Sequence, residues 1–333
     1  MSVKHQFLCL FLILCSFTSN CQVLRKRTTL LMGGRFDITI VAQDSLSAEQ
    51  NIDEVIAEIT RIEYVISDWK STTQISEVNQ NAGIRPVKVD REVFELTQRA
   101  IHFSEITNGG FDISFAAMDQ IWKFDGSMTE MPSAEAIQKS IEKVGYKNII
   151  LDSDHSTIFL KLKGMKIGFG ALGEGYATDK CRAIMREKGI KAGIINGSGD
   201  MSTWGKQPNG KDWNIGITNP FKTDKLIAIV PINNGAVTTS GNYEKFVVLD
   251  GKRYSHIINP ATGYPATGLC SVTVIGPNAE TANGLSTSIM VLGKTAGLEL
   301  LNQFPDYSCV MITDDGKVVK SKNFRIKKFK AKL

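Results

Sequence analysis

The stretch from 212 to 275 constrains the fold most. Six short runs, WNIGIT, KLIAIVPI, AVTTS, KFVVLD, YSHII and CSVTVIG, follow one another across Asn-Pro, Asn-Asn-Gly, Asp-Gly and Pro-Ala-Thr-Gly breaks. Apolar and β-branched runs bounded by such turn residues predict a meander of short strands. A doubly wound dinucleotide fold would go on alternating strand and helix here, and this chain stops doing so after about residue 200.

The earlier sequence is mixed. Residues 35–43 (RFDITIVAQ) alternate as a strand does. Ile52, Val55, Ile56, Ile59, Ile62 and Val65 then recur at helical spacing, with Ser47 and Gln50 as a capping-box start. The stretch holding Ile75, Val78 and Asn79 reads as a polar connection. A second helix is predicted over 90–106, closed by Asn108-Gly109-Gly110, and a third from Ser133 to near Gly145. Strands follow at 147–152, 156–162 and 165–169, then a helix over 172–188 and a strand over 191–196. Beyond the meander come helices over 279–292 and 295–303 and a strand pair about Asp314-Asp315-Gly316. Without a repeat or a linker, the pattern predicts one α+β unit of mixed, largely antiparallel sheets with packed helices.

Charge is unevenly placed. The net +5 arises from 39 basic and 34 acidic residues, but 317–333 alone carry seven Lys and one Arg and no acid. Arg25, Lys26, Arg27 and Lys4 are also basic, which leaves residues 28–316 at −7. A nucleic-acid partner is therefore not indicated. The Lys-rich tail reads as the solvated end of the last strand region, with docking on a membrane face or acidic partner as its alternative use.

The start of the chain has its own logic. Lys4, the apolar run FLCLFLILCSF and the small polar Thr18-Ser19-Asn20-Cys21 read as a secretory leader over 1–21, ahead of a mature unit over 22–333. Cys21 is either a lipidated first residue or a plain cleavage point. Outside the leader, Cys181, Cys270 and Cys309 are widely spaced and read as buried thiols rather than a disulfide framework.

Several segments could carry chemistry. Gly168, Gly170 and Gly173 spell G-x-G-x-x-G at the start of a predicted helix, with Asp200 beyond the next strand. A nicotinamide-dinucleotide oxidoreductase is one reading. Glycines that admit a phosphate to a helix start, or that only serve tight turns, are the others. INGSGD, Ile195 to Asp200, is either a ligand loop or a plain turn. His256 lies in a polar, turn-bounded segment and is the best acid/base candidate, though a lone histidine is as readily structural. Ser240 lacks a nucleophile elbow. Asn283 and Thr287, four apart on one helical face, present two neutral oxygens that suit a hard cation such as Mg²⁺.

Taken in order, LMGGRFDITIVA, SDWKSTTQISEVN, GGFDIS, GFGALGEGYATDK, GIINGSGDM, VTTSGNYEKF, YSHIINPATGYPA and AETANGLSTSIMVLG resemble the motif series of the ApbE family, the FAD:protein FMN transferases, over about residues 30–305. The resemblance implies a T-fold-like unit and a periplasmic, Mg²⁺-dependent enzyme. Such an enzyme transfers FMN from FAD to a Thr or Ser of a flavoprotein subunit of a respiratory redox complex, releases AMP, and works in association with the inner membrane. Some relatives instead hydrolyse FAD to FMN and AMP. Carried onto this chain, Met32, Trp69 in place of the usual Tyr, Gly110, Phe111, Asp112, Glu174 and Ala177 fall at FAD-contacting positions. Ser240, Glu244, His256 and Ile257 fall along the flavin nucleotide and the reacting phosphate. The family's metal is implied at the Ala171 carbonyl, Thr287 and residue 283, where Asn283 replaces the family's Asp.

Overall fold

The computed structural model describes residues 22–242, 245–325 and 328–329, so the expected leader over 1–21 lies outside the described residues. The chain opens with a hairpin of β1 (Val23–Leu31) and β2 (Gly34–Ala42), followed by α1 (Ser45–Ile66), α2 (Gln74–Gln80), β3 (Val87–Lys88) and α3 (Arg91–Ile106). Next come α4 (Ala134–Ser140), β4 (Ile149–Asp152), β5 (Thr157–Leu160), α5 (Gly173–Glu187), β6 (Ala192–Gly197) and β7 (Asp200–Trp204). The meander is β8 (Trp213–Asn219), β9 (Lys222–Ile232), β10 (Asn234–Gly241), β11 (Phe246–Leu249), β12 (Lys252–Ser255) and β13 (Leu269–Gly276). The long α6 (Ala279–Leu301), β14 (Ser308–Thr313), β15 (Val318–Lys320) and β16 (Lys328–Phe329) complete it.

An eight-stranded sheet, β1-β2-β6-β7-β10-β13-β14-β15, organises the molecule, and every pairing described within it is antiparallel. This excludes the doubly wound reading of the glycine motif. Helices α1, α5 and α6 cover one face. There Ile38 and Ile40 of β2 meet Ile52, Ile59 and Ile62 of α1, all fully buried. Each such side chain contributes roughly 1.5–3 kcal/mol by leaving water. The other face packs on the sheet β16-β9-β8, where Val41 and Val237 join Trp213, Ile215 and Ile232.

Local readings shift in several places. The carboxylate that caps α1 is Asp44, which accepts from the Ser47 amide at 2.8 Å, so Ser47 lies inside the helix. The polar connection around Ile75 and Val78 is helix α2, its apolar pair buried. The third predicted helix stops at Ser140, short of Gly145. The predicted strand at 165–169 has alternating burial but no partner strand. The Asn79 side chain takes a neighbour's place, accepting from Ile167 N at 2.8 Å and donating to Ile167 O at 3.0 Å. The two helices predicted after 279 meet at Gly293, whose φ of 78° breaks the helical path of α6. The tail is not merely solvated: Phe324 is buried beside Ile217, Ile227 and Val310, and β16 pairs with β9. Cys181, Cys270 and Cys309 are buried free thiols, as expected.

One buried ion pair locks the helical layer to the sheet. Asp179 of α5 pairs with Arg182 at 3.0 Å, accepts from Ser202 Oγ of β7 at 2.6 Å and caps α6 by accepting from Glu280 N at 2.9 Å. Arg182 donates to the carbonyls of Gly235 and Pro277. Burial pushes the Asp179 carboxyl up, and the Arg182 charge pulls it back. Below this pair α5 and α6 approach so closely that a Cβ on Gly175 would lie 2.7 Å from the Ala279 carbonyl oxygen. Replacing Asp179 by Ala strands a buried guanidinium, and urea denaturation should show a loss of about 3–5 kcal/mol.

Candidate functional site

A cavity of about 970 Å³ opens where turns and helix ends converge at one end of strands β1, β2, β6, β7 and β10. That volume is at the upper end of ligand pockets, roughly 300–1,000 Å³. Two hairpin turns form part of its wall. Met32-Gly33 joins β1 to β2 and Ser198-Gly199 joins β6 to β7, and all four residues have positive φ. Two-residue hairpins favour this geometry, but Met32 and Ser198 carry a Cβ and hold it at a cost. INGSGD is thus both a turn and a cavity wall.

The segment after α3 supplies the next wall. Gly110, Phe111 and Asp112 line the cavity together. Asp112 is committed to the fold: its carboxylate accepts from Ser114 N at 2.8 Å, Ser114 Oγ at 2.6 Å and Tyr146 N at 2.7 Å. Burial raises its carboxyl, and these three donors moderate the rise.

Helices α5 and α6 bring the oxygen donors. Ala171 and Glu174 line the cavity from the start of α5, and Asn283 and Thr287 from one face of α6. Burial pushes the Glu174 carboxyl up, while the Ser198 hydroxyl and the Lys245 charge act against it. Thr287 Oγ1 is 3.4 Å from Asn283 Oδ1 and 3.3 Å from Ser240 Oγ. Ser240 Oγ is also 2.8 Å from Ser286 Oγ, which ties β10 to α6 and gives Ser240 a linking role. The Asn283 amide nitrogen donates to Asp200 Oδ2. Burial holds the Asp200 carboxyl well above the usual carboxylate range, and Glu174 and Asp179 add to the effect.

His256 reaches the cavity from the end of the β11–β12 hairpin. A satellite core of Trp122, Ile137, Val247, Leu249 and Ile258 supports this hairpin. Its backbone N–H donates to the Lys245 carbonyl, and its ring Nδ1 lies 3.0 Å from the same oxygen. A carbonyl oxygen only accepts, so Nδ1 carries the proton and the basic lone pair of the neutral ring belongs to Nε2. Phe124 meets the ring edge-on at 6.4 Å between centroids.

Of the residues singled out in the sequence, Met32, Gly110, Phe111, Asp112, Ala171, Glu174, Ser240, His256, Ile257, Asn283 and Thr287 share this cavity. Two do not line it. Trp69 is 60% exposed, and its neighbour Asp68 faces the cavity instead. Ala177 is fully buried in the main core. Glu244 lies outside the described residues. Asp68, Asp200 and Lys245 also line the cavity. Asp200 is the last residue of the INGSGD segment that the sequence marked as a ligand loop or a plain turn.

The cavity's charged lining is mainly acidic: Asp68, Asp112, Glu174 and Asp200 stand against Lys245, with His256 beside them. Among the described residues no group of three or more acidic, His or Cys side chains is placed to hold a metal ion. The donors available for a cation are hard, mostly neutral oxygens, the Ala171 carbonyl, Asn283 Oδ1 and Thr287 Oγ1, and this set fits Mg²⁺ rather than a softer ion.

Fold and cavity together define an α+β ligand-binding protein outside the doubly wound class. The ApbE family model matches residues 32–311, and the chain belongs to that family. The FAD:protein FMN transferase of Klebsiella pneumoniae is 29% identical over 302 residues, covering 90% of this chain and 92% of the relative. That of Treponema pallidum is 29% identical over 282 residues, covering 80% and 78%. The crystal structure of the Thermotoga maritima ApbE protein superposes with a TM-score of 0.82 at 29% identity, covering 91% of this chain and 98% of that one. The apo form of the Pseudomonas stutzeri flavinyl transferase ApbE gives 0.80 at 26% identity, covering 94% and 98%.

The wall formed by Gly110 and Phe111 depends on Asp112. Asp112→Ala leaves the Ser114 and Tyr146 amides without their acceptor, at a cost of about 1–3 kcal/mol. Hydrogen exchange should speed up at Phe111, Ser114 and Tyr146 while α1 stays protected.

Proposed function

We propose that this protein is a FAD:protein FMN transferase that uses Mg²⁺, with FAD in the cavity and His256 as general base. The observation that carries the reading is the meeting, in one cavity, of a histidine with its basic lone pair fixed on Nε2 and the oxygen pair of Asn283 and Thr287. The family's flavin chemistry supports it.

In this reading the hydroxyl of an acceptor Thr or Ser gives its proton to His256 Nε2. The oxygen forms a bond to the FMN-side phosphorus, the pyrophosphate P–O bond breaks, and AMP leaves. His256 is held for this by the Lys245 carbonyl. Glycine-lined turns let the ligand approach the backbone, and Lys245 offers its charge to phosphate. Mg²⁺ held by Ala171, Asn283 and Thr287 would neutralise charge on the pyrophosphate and the departing AMP. Asn283 contributes no charge of its own, so the metal binds chiefly together with FAD.

The site of action follows from the sequence. The leader directs export, with Cys21 as a point of cleavage or lipidation, and the acceptor is a flavoprotein subunit of a respiratory redox complex at the inner membrane. No helix among the described residues is long and apolar enough to cross a membrane.

Incubation with FAD, Mg²⁺ and an acceptor carrying an Asp-Gly-(Ala/Thr)-Thr segment should yield covalently fluorescent acceptor and AMP in equal amounts. His256→Ala should lower the rate by roughly 10²–10⁴-fold, and chelation of Mg²⁺ should stop it. AMP without labelled acceptor would mark a FAD pyrophosphatase instead. Absence of both products would remove the enzyme reading.

A further inference from the structure

Asp200 is a buried carboxylate in the cavity wall that the reaction above leaves without a part. It opens β7 directly after the Ser198-Gly199 turn and is 7% exposed. Its side chain accepts from the amide of Asn283, itself 7% exposed. Asp200 Oδ2 is the acceptor of this bond, so the NH₂ of Asn283 faces Asp200. That choice fixes the other end of the amide. Oδ1 is turned toward Thr287, 3.4 Å from its Oγ1.

The two ends of an amide are nearly identical in shape and opposite in character. With nothing to hold it, Asn283 would as readily turn its two N–H donors toward Thr287 and repel a cation there. An Asp at 283 would need no such lock, since both its oxygens accept. It would, however, set two carboxylates in contact inside the protein, where like charges are costly. Acid at 200 and amide at 283 are therefore matched to each other.

We propose that Asp200 is a positioning residue for the cation site, locking the Asn283 amide so that its carbonyl oxygen joins those of Thr287 and Ala171. This rests on the metal reading given above. Asp200 acts on the cation only through Asn283. Partners that orient metal ligands in this way change affinity by about 10–100-fold when removed.

The test titrates Mn²⁺ into the full protein in the presence of ADP, which carries a pyrophosphate but no FMN to transfer, and reads free Mn²⁺ by electron paramagnetic resonance. Asp200→Ala should bind Mn²⁺ about 10–100-fold more weakly than the unmodified protein. In an Asn283→Asp background, where both oxygens of residue 283 accept and need no lock, Asp200→Ala should cost little of the Mn²⁺ affinity. A role confined to folding would lower affinity in both backgrounds. If Asp200→Ala melts normally and binds Mn²⁺ as the unmodified protein does, Asp200 has no such role. Where Asp200→Ala does not fold, Asp200→Asn, which can offer residue 283 either end of an amide, takes its place in both backgrounds: affinity lost with Asn283 but kept with Asp at 283 supports the proposal, and affinity equal to that of the unmodified protein overturns it. Failure of the unmodified protein to bind Mn²⁺ overturns the metal reading as well, which separates the two failures.

Discussion

The buried pair of Asp179 and Arg182 sets where everything else can sit. It joins α5 to β7 through Ser202, to the start of β10 through the Gly235 carbonyl, and to the start of α6 through Glu280 and Pro277. Such a pair adds little net stability, because both charges give up their water. Its effect is geometric. With the two helices locked together at Gly175, the start of α5 and the first three turns of α6 reach the same cavity, and Glu174 and the preceding Ala171 come to share it with Asn283 and Thr287.

A protein whose body is net acidic, and whose cavity is acidic too, holds a polyanion only with help. Among the described residues Lys245 is one charge against four carboxylates in the lining. In the proposed function, backbone groups at the turns and a hard cation would supply the remainder, and such a cation needs oxygen donors that do not repel the phosphate in turn. Asn283 and Thr287 are such donors. The overall basicity of the chain lies elsewhere, in a C-terminal segment that is partly built into the fold through Phe324 and β16.

The long elements were legible because burial forced a period on them. Helix α1 repeats isoleucine and valine at helical spacing, and the meander shows its strands between turn residues. Strand β1 escaped notice for the opposite reason: it is an edge strand of VLRKRTTLL with no residue buried, so no pattern marks it. At 165–169 the alternation was real but its meaning was not, since Met165, Ile167 and Phe169 are buried without a neighbouring strand and Asn79 bonds the backbone instead. In the site, the resemblance pointed to Trp69, which is 60% exposed, while its neighbour Asp68 lines the cavity. Residues 68–70 form a bend after α1, and which of them faces inward is set by neighbours far off in the chain, here Gly168 beside the Asp68 carboxylate.

The glycine motif shows why a spacing alone cannot name a function. Gly168 and Gly170 line the cavity, and a Cβ on Gly168 would lie 2.9 Å from the Asp68 carboxylate. Gly173 is small because Ile66 and Met32 press on it, with Ile66 Cδ1 only 3.0 Å from where its Cβ would be. In a Rossmann domain the same spacing lays a pyrophosphate across the end of a parallel strand. Here no strand precedes it, and Gly168 and Gly173 answer separate steric demands while a Cβ on Gly170 would meet nothing within 4 Å. What specifies function is therefore the set of segments that these glycines allow to meet: a strained Met32 turn, a Ser198-Gly199 turn, a histidine hairpin and the oxygen-bearing face of α6.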